Sequence, residues 1–204
     1  MPRPRSLTPG QLASAALAVI DRDGLPALTM RAVAGELGSS PMRLYRYVVD
    51  RAALEALVVD AVLAEVDTTP PGGGDWRDRA ATLVHRMRVA IGRHPAVTPL
   101  LPVHRHRSST VLRWTETLLG VLTDGGLDGT RRVIALRALL AYAVGAIQLE
   151  HLGPLSGAGT TAMAALSPVT FPHLTATAAE ARRLEPDAEF GGGLDLLLRG
   201  IDDR

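Results

Sequence analysis

Helix-initiation signals recur along this chain, and they restrict it more than any other feature to short helices joined by tight turns. Thr8-Pro9-Gly10-Gln11 places Thr8 as N-cap, Pro9 at the first helical position and Gln11 where a capping box needs it. Leu12, Ala16, Val19 and Ile20 then share one apolar face at i, i+4, i+7 and i+8, and Gly24 stops a helix over residues 9–22. Thr29 caps a second helix over 30–37 that turns Val33 and Leu37 inward, and Gly38 ends it. Ser39-Ser40-Pro41 starts a third at once, with Ser40 as N-cap, running to about Tyr47 with Leu44 and Val48 as its buried pair. Asp50 caps a fourth, on which Leu54, Leu57, Val58, Ala61 and Val62 form the apolar stripe.

Thr68-Thr69-Pro70-Pro71-Gly72-Gly73-Gly74 is the clearest break. Asp75 caps the next helix, which carries Leu83, Met87 and Ile91. Pro95, Pro99 and Pro102 limit the following piece to a short helix, and longer ones are expected over 109–123 and 130–151. The helix over 130–151 is so apolar between 138 and 147 that burial on both sides is expected. Residues 153–173 read as a loop with one short helix, followed by helices near 174–184 and 187–202.

Composition narrows the chemistry. All 22 basic residues are Arg, and without Lys there is neither a P-loop lysine nor a Schiff-base amine. Without Cys there is no disulfide scaffold, thiolate nucleophile or zinc finger. With 47% hydrophobic but only 3% aromatic residues, the core must be aliphatic, which favours packed helices. Arg3 and Arg5 precede the apolar stretch 12–20 as in a signal peptide, but the stretch runs into Asp21-Arg22-Asp23 and is better explained as the first helix. The longest later apolar run, 138–147, is ten residues, against roughly 20 for a membrane span, so a cytoplasmic protein with no membrane partner is expected.

Two short helices joined by a Gly-containing turn and braced by a longer helix form a helix-turn-helix pattern over about 29–48. In such a motif the second helix lies in the DNA major groove with its N-terminal residues at base edges. The register that buries Leu44 and Val48 leaves Pro41, Met42, Arg43, Tyr45, Arg46 and Tyr47 mostly outside the core. Charge agrees: residues 1–51 hold seven Arg against four acids, net +3, and the remainder fifteen Arg against seventeen, net −2.

The segment from Leu28-Thr29-Met30-Arg31-Ala32-Val33-Ala34-Gly35-Glu36-Leu37-Gly38 through Ser39-Ser40-Pro41-Met42-Arg43-Leu44-Tyr45-Arg46-Tyr47-Val48, with Asp50-Arg51 after it, resembles the DNA-binding domain of the TetR family of transcriptional repressors. The match runs without a gap over about residues 8–64, and Tyr142-Ala143-Val144-Gly145-Ala146-Ile147 is similar to the dimer-forming helix of the tetracycline-repressor branch. The resemblance implies an all-α fold: an N-terminal three-helix DNA-binding domain at 6–66, linked by helix four to a helical ligand-binding and dimerisation domain at 75–204. It assigns a helix-start phosphate contact to Thr29, a base or phosphate contact to Arg31, base-facing positions to Pro41, Met42 and Arg43, phosphate contacts to Tyr45 and Tyr47, and a backbone contact to Arg51. With Ser40 and Arg46 from the same face, these form the expected DNA-binding set. Arg43 stands where the family usually has a small residue, and its fork suits a bidentate contact to guanine.

The resemblance further implies a homodimer on a palindromic double-stranded DNA operator, released by a small-molecule inducer. The helices over 130–151 and 187–202, the latter through Leu194, Leu197, Leu198 and Ile201, are expected to pair with their symmetry mates as a four-helix bundle. His85, Met87, Trp114, Gln148 and His151 are the expected effector-pocket residues. No metal or cofactor is expected. Alignment on Gly145 puts no acid where the tetracycline branch holds its magnesium-bound drug. His104-Arg105-His106-Arg107 reads as a solvated polar connector, because flanking Arg repels a cation. Gly157-Ala158-Gly159-Thr160-Thr161-Ala162 fits a dinucleotide fingerprint but lacks its strand and reads as a flexible loop. Gly153-Pro154-Leu155-Ser156-Gly157 puts Ser at the wrong offset for a nucleophile elbow. The alternative, a helical small-molecule-binding enzyme with an N-terminal interaction module, needs a convergent acid, base or nucleophile set that the sequence does not display.

Overall fold

The computed structural model describes residues 7–202; Arg3, Arg5 and the expected domain limits at residues 6 and 204 lie outside the described residues. No strand occurs among those described. The helices are α1 (Pro9–Asp23), α2 (Met30–Glu36), α3 (Pro41–Leu44), α4 (Arg51–Leu63), α5 (Trp76–Gly92), α6 (Leu101–His104), α7 (Ser109–Asp124), α8 (Gly129–Leu152), α9 (Ala158–Ala164), α10 (Pro172–Ala181) and α11 (Pro186–Asp202), with 3-10 turns at Leu25–Ala27, Pro95–Leu100 and Arg105–Arg107. Two compact units divide the chain. One comprises the chain up to Pro71 and His85–Gly120, the other Gly72–Val84 and everything from Val121, so α5 and α7 contribute to both.

In the first unit, the capping box is complete. The Thr8 hydroxyl accepts from the Gln11 N–H, and the Gln11 side chain accepts from the Thr8 N–H. Thr29 caps α2 through the Ala32 N–H at 3.0 Å and Asp50 caps α4 through the Ala53 N–H at 2.7 Å. Ser40 occupies the N-cap position of α3, but its side chain makes no cap bond. α1 packs on α4 and α2, and α2 on α3, burying Leu12, Val19, Ile20, Leu28, Val33, Leu44 and Leu54. Leu37 is only half-buried. On α4, Val59 and Leu63 join Leu54, Val58 and Val62 in the core, whereas Leu57 and Ala61 sit at its edge. Arg22 of α1 reaches Glu36 of α2 at 3.0 Å, and that bond, with a second to Asp23, raises the Arg22 pKa above its ordinary value.

The third helix is shorter than its sequence implies. α3 ends at Leu44, and the chain continues through i→i+3 bonds from Arg46 N–H to Arg43 O and from Tyr47 N–H to Leu44 O. Asp50 must be extended to cap α4, with φ −158° and ψ −179°, and β-branched Val48 and Val49 lie just before it, so the helix unwinds. Gly38 adopts φ +57°, the left-handed conformation that lets the chain turn sharply between α2 and α3.

In the second unit, α11 packs on α8 and α10 on α9. The Tyr142 and Phe190 ring centroids lie 5.3 Å apart, and the Tyr142 hydroxyl donates to Phe190 O at 2.6 Å. Gly193 faces the Tyr142 hydroxyl so closely that a side chain there would displace the ring. α8 is not buried on both sides. Its buried residues are Ala135, Leu139, Ala143 and Ile147, a single stripe at i+4 spacing. Ile134, Leu149 and Leu152 are exposed on the other side. α8 is also long and apolar enough, by length and composition, to cross a membrane. On α11, Leu194 and Leu198 are already buried within the single chain, so they cannot serve a symmetry mate as expected; the exposed leucine is Leu196, at 73%. The segment expected to be a flexible loop instead starts α9 at Ala158, with Gly157 as its N-cap residue.

Candidate nucleic-acid interface and effector region

The ten residues of the expected DNA-binding set lie in one stretch of the first unit. Thr29 precedes α2, Arg31 lies in it, and Ser40 precedes α3. Pro41, Met42 and Arg43 form α3 with Leu44; Tyr45, Arg46 and Tyr47 follow in the turn, and Arg51 opens α4. Within this stretch Leu44 and Val48 are buried, at 0% and 3% exposure. Burying a leucine fully is worth about 1.5–3 kcal/mol, enough to fix the rotation of so short a helix about its axis. That rotation leaves Met42 76% exposed and Tyr45 and Tyr47 exposed beside Arg46, while Pro41 and Arg43 are half-buried. Large apolar and aromatic groups in water are costly on a monomer surface without a partner.

Besides Thr29 with its cap bond, Tyr47 and Arg51 are held from within the unit. Tyr47 Oη accepts from the Leu7 N–H at 3.1 Å. Arg51 Nε donates to Glu55 Oε1 at 2.7 Å, and one of its Nη atoms lies 3.4 Å from Leu25 O. Glu55 in turn meets His104, with Nε2 of the imidazole 3.0 Å from Oε2. His104 is therefore no solvated connector: it is 4% exposed, while Arg105, His106 and Arg107 face water. Leu101 and His104 are one helical turn apart and both buried in a segment that packs on α4. The partnership with Glu55 spans 49 positions, and no local pattern in the sequence announces it. One further side-chain bond joins α4 to the same stretch of chain: Ser108 Oγ donates to Asp60 Oδ1 at 2.8 Å. Arg93, just past α5, pairs with Glu65, just past α4.

The five expected effector residues divide between the units. Met87 and Trp114 are buried in the first, Trp114 completely, and His85 is exposed there beside a shallow groove edged by Glu65, Asp67, Arg86 and Arg93. In the second unit, Gln148 is half-buried and His151 exposed near the end of α8. A second groove, of about 230 Å³, lies between α8 and α11, lined by Tyr142, Gly145, Leu149, Glu150 and Phe190 among others. No cluster of three or more His, Asp or Glu side chains able to hold a metal occurs among the described residues.

Residues 69–204 match the family described as tetracyclin repressor-like, C-terminal domain. The chain belongs to the TetR family of transcriptional regulators. Among similar proteins, the HTH-type transcriptional repressor DrrR1 of Streptomyces coeruleorubidus is 32% identical over 153 residues, 73% of this chain and 55% of DrrR1. The chain thus spans little more than half the length of that relative. A possible TetR family transcriptional regulator from Streptomyces coelicolor A3(2) superposes with a TM-score of 0.85 at 28% identity, covering 95% of this chain and 98% of that one. The TetR family protein ActR of Streptomyces coelicolor, solved in complex with actinorhodin, superposes with a TM-score of 0.78 at 25% identity, covering 97% of each chain. The all-α architecture expected from the sequence is thereby borne out.

Proposed function

We propose that the chain is a ligand-responsive transcriptional repressor that binds a palindromic DNA operator as a homodimer and leaves it when a small-molecule inducer binds, acting in the cytoplasm and not as an enzyme. Residues 6–66 form its DNA-binding domain and 75–204 its regulatory and dimerisation domain. The observation that carries this reading is the buried Leu44 and Val48 flanked by exposed Met42, Tyr45, Arg46 and Tyr47 on a helix-turn-helix. Pro41, Met42 and Arg43 read base edges from the start of α3. Thr29, Arg31, Ser40, Tyr45, Arg46, Tyr47 and Arg51 supply the contacts that set register on the backbone. The contact with DNA is polar and charged at its rim and apolar at Met42, which suits a thymine methyl.

Dimerisation follows from α8. Ile134, Ala141, Gly145, Leu149 and Leu152, at intervals of seven, four, four and three, share the side away from the buried stripe, and a second copy of the chain is the partner assigned to that face. Candidate effector residues are His85, Met87 and Trp114 in the first unit and, separately, Gln148 and His151 in the second, and the complex of ActR with actinorhodin supports a small organic effector. The inducer works by binding the DNA-free state more tightly than the DNA-bound state. Selection from a random DNA library with the full chain tests this function. Enrichment of an inverted repeat with half-sites about 10 base pairs apart is expected, and a pool that remains random counts against it.

A further inference from the structure

We propose that Glu55 is a positioning residue for DNA binding: it holds the Arg51 guanidinium at the start of α4, and buried His104 holds Glu55. The inference rests on the reading of Arg51 as a phosphate contact. The carboxylate is divided between its two partners, Oε1 accepting from Arg51 Nε at 2.7 Å and Oε2 facing His104 Nε2 at 3.0 Å. The three side chains step inward from water. Arg51 is 47% exposed, Glu55 15% and His104 5%.

An exposed arginine loses considerable rotamer freedom when it settles on a phosphate. An exposed ion pair alone holds it only weakly. Here the carboxylate is itself fixed, because its second oxygen is bound by a buried imidazole on an element that α4 packs against. The Nε edge of Arg51 is taken, so the guanidinium plane is set and its Nη groups are presented for a phosphate. One of them already leans on Leu25 O at 3.4 Å, in the 3-10 turn that joins α1 to α2. The start of α4 is thus tied by one carboxylate to residue 104. A shift of the Leu101–His104 helix would reach Arg51 through these two hydrogen bonds as well as through its packing on α4.

The test is the salt dependence of operator binding in a double-mutant cycle, read on the selected operator with the full chain. Arg51→Ala is expected to lower the slope of log K against log salt by about 1.8, one phosphate contact in each half-site. Glu55→Ala is expected to lower it nearly as much and to weaken binding about three- to tenfold at 0.15 M salt. Adding Glu55→Ala to Arg51→Ala should change nothing further, because Glu55 acts only through Arg51. Glu55→Gln should restore the slope: its amide oxygen accepts from Arg51, and its NH2 donates to His104 Nε2 in the other imidazole tautomer. His104→Gln, judged only if helix content and melting match the parent, should resemble a partial Glu55→Ala. Additive losses for Arg51→Ala and Glu55→Ala, or a parental slope for Glu55→Ala, overturn the positioning role while leaving the Arg51 contact intact. A parental slope for Arg51→Ala removes the phosphate contact, and the positioning role falls with it.

Discussion

The stretch from α1 to α4 and the stretch from α8 to α11 handle apolar surface in opposite ways. In the first, the apolar stripes of α1, α2, α3 and α4 meet one another, and the large exposed groups are confined to Met42, Tyr45, Tyr47 and Val49 around α3. In the second, α8 buries one stripe of four residues and leaves Val133, Ile134, Leu149 and Leu152 in water, as α11 leaves Leu196. The first stretch covers its apolar stripes within the single chain and leaves large groups in water on the face proposed to meet DNA. The second leaves apolar side chains in water along much of a 24-residue helix, the face proposed to meet a second copy.

The strongest way to break this contrast is to charge the exposed side of α8. Ile134→Asp with Leu149→Asp should give a folded monomer by sedimentation and weaken operator binding about 100-fold or more, since each half-site is then bound without avidity. A charged variant that remains dimeric would show that another surface pairs the chains. Next in size is Arg43→Ala, expected to cost about 1–3 kcal/mol and to relax preference at a single base pair of each half-site, measured by competition among operator variants. Equal losses for all operators would move Arg43 from base to backbone.

The capping residues sharpen the contrast from the stability side. Asp50→Ala removes the bond to the Ala53 N–H and should cost about 1 kcal/mol in denaturant unfolding. Ser40→Ala, at a cap position where the side chain makes no such bond, should alter stability by less than about 0.5 kcal/mol. Any larger effect of Ser40→Ala is then expected in DNA affinity alone. A stability loss matching that of Asp50→Ala would give Ser40 a structural role instead.

Local rules carried the first stretch well. Thr8-Pro9-Gly10-Gln11, Thr29 and Asp50 each act within three residues, so their sequence already contains their partners. They failed at α3, where the cap required by the following helix unwinds the one before it, a competition between neighbours that no single motif displays. They also failed wherever the partner is remote or belongs to another chain. His104 looks polar and solvated beside Arg105 until Glu55, 49 positions away, is placed against it. The apolar run on α8 reads as buried because periodicity reports that a face must be covered, and not by which chain. Leu194 and Leu198 pose the converse problem, since the single chain covers what was expected to await a copy.

Two copies paired as proposed should read half-sites at one fixed separation. The most direct measurement compares the selected operator with one carrying five extra base pairs between its half-sites, about half a helical turn. Binding of the full chain to the lengthened operator should fall to that of an isolated half-site. Equal affinity for both operators would contradict the claim.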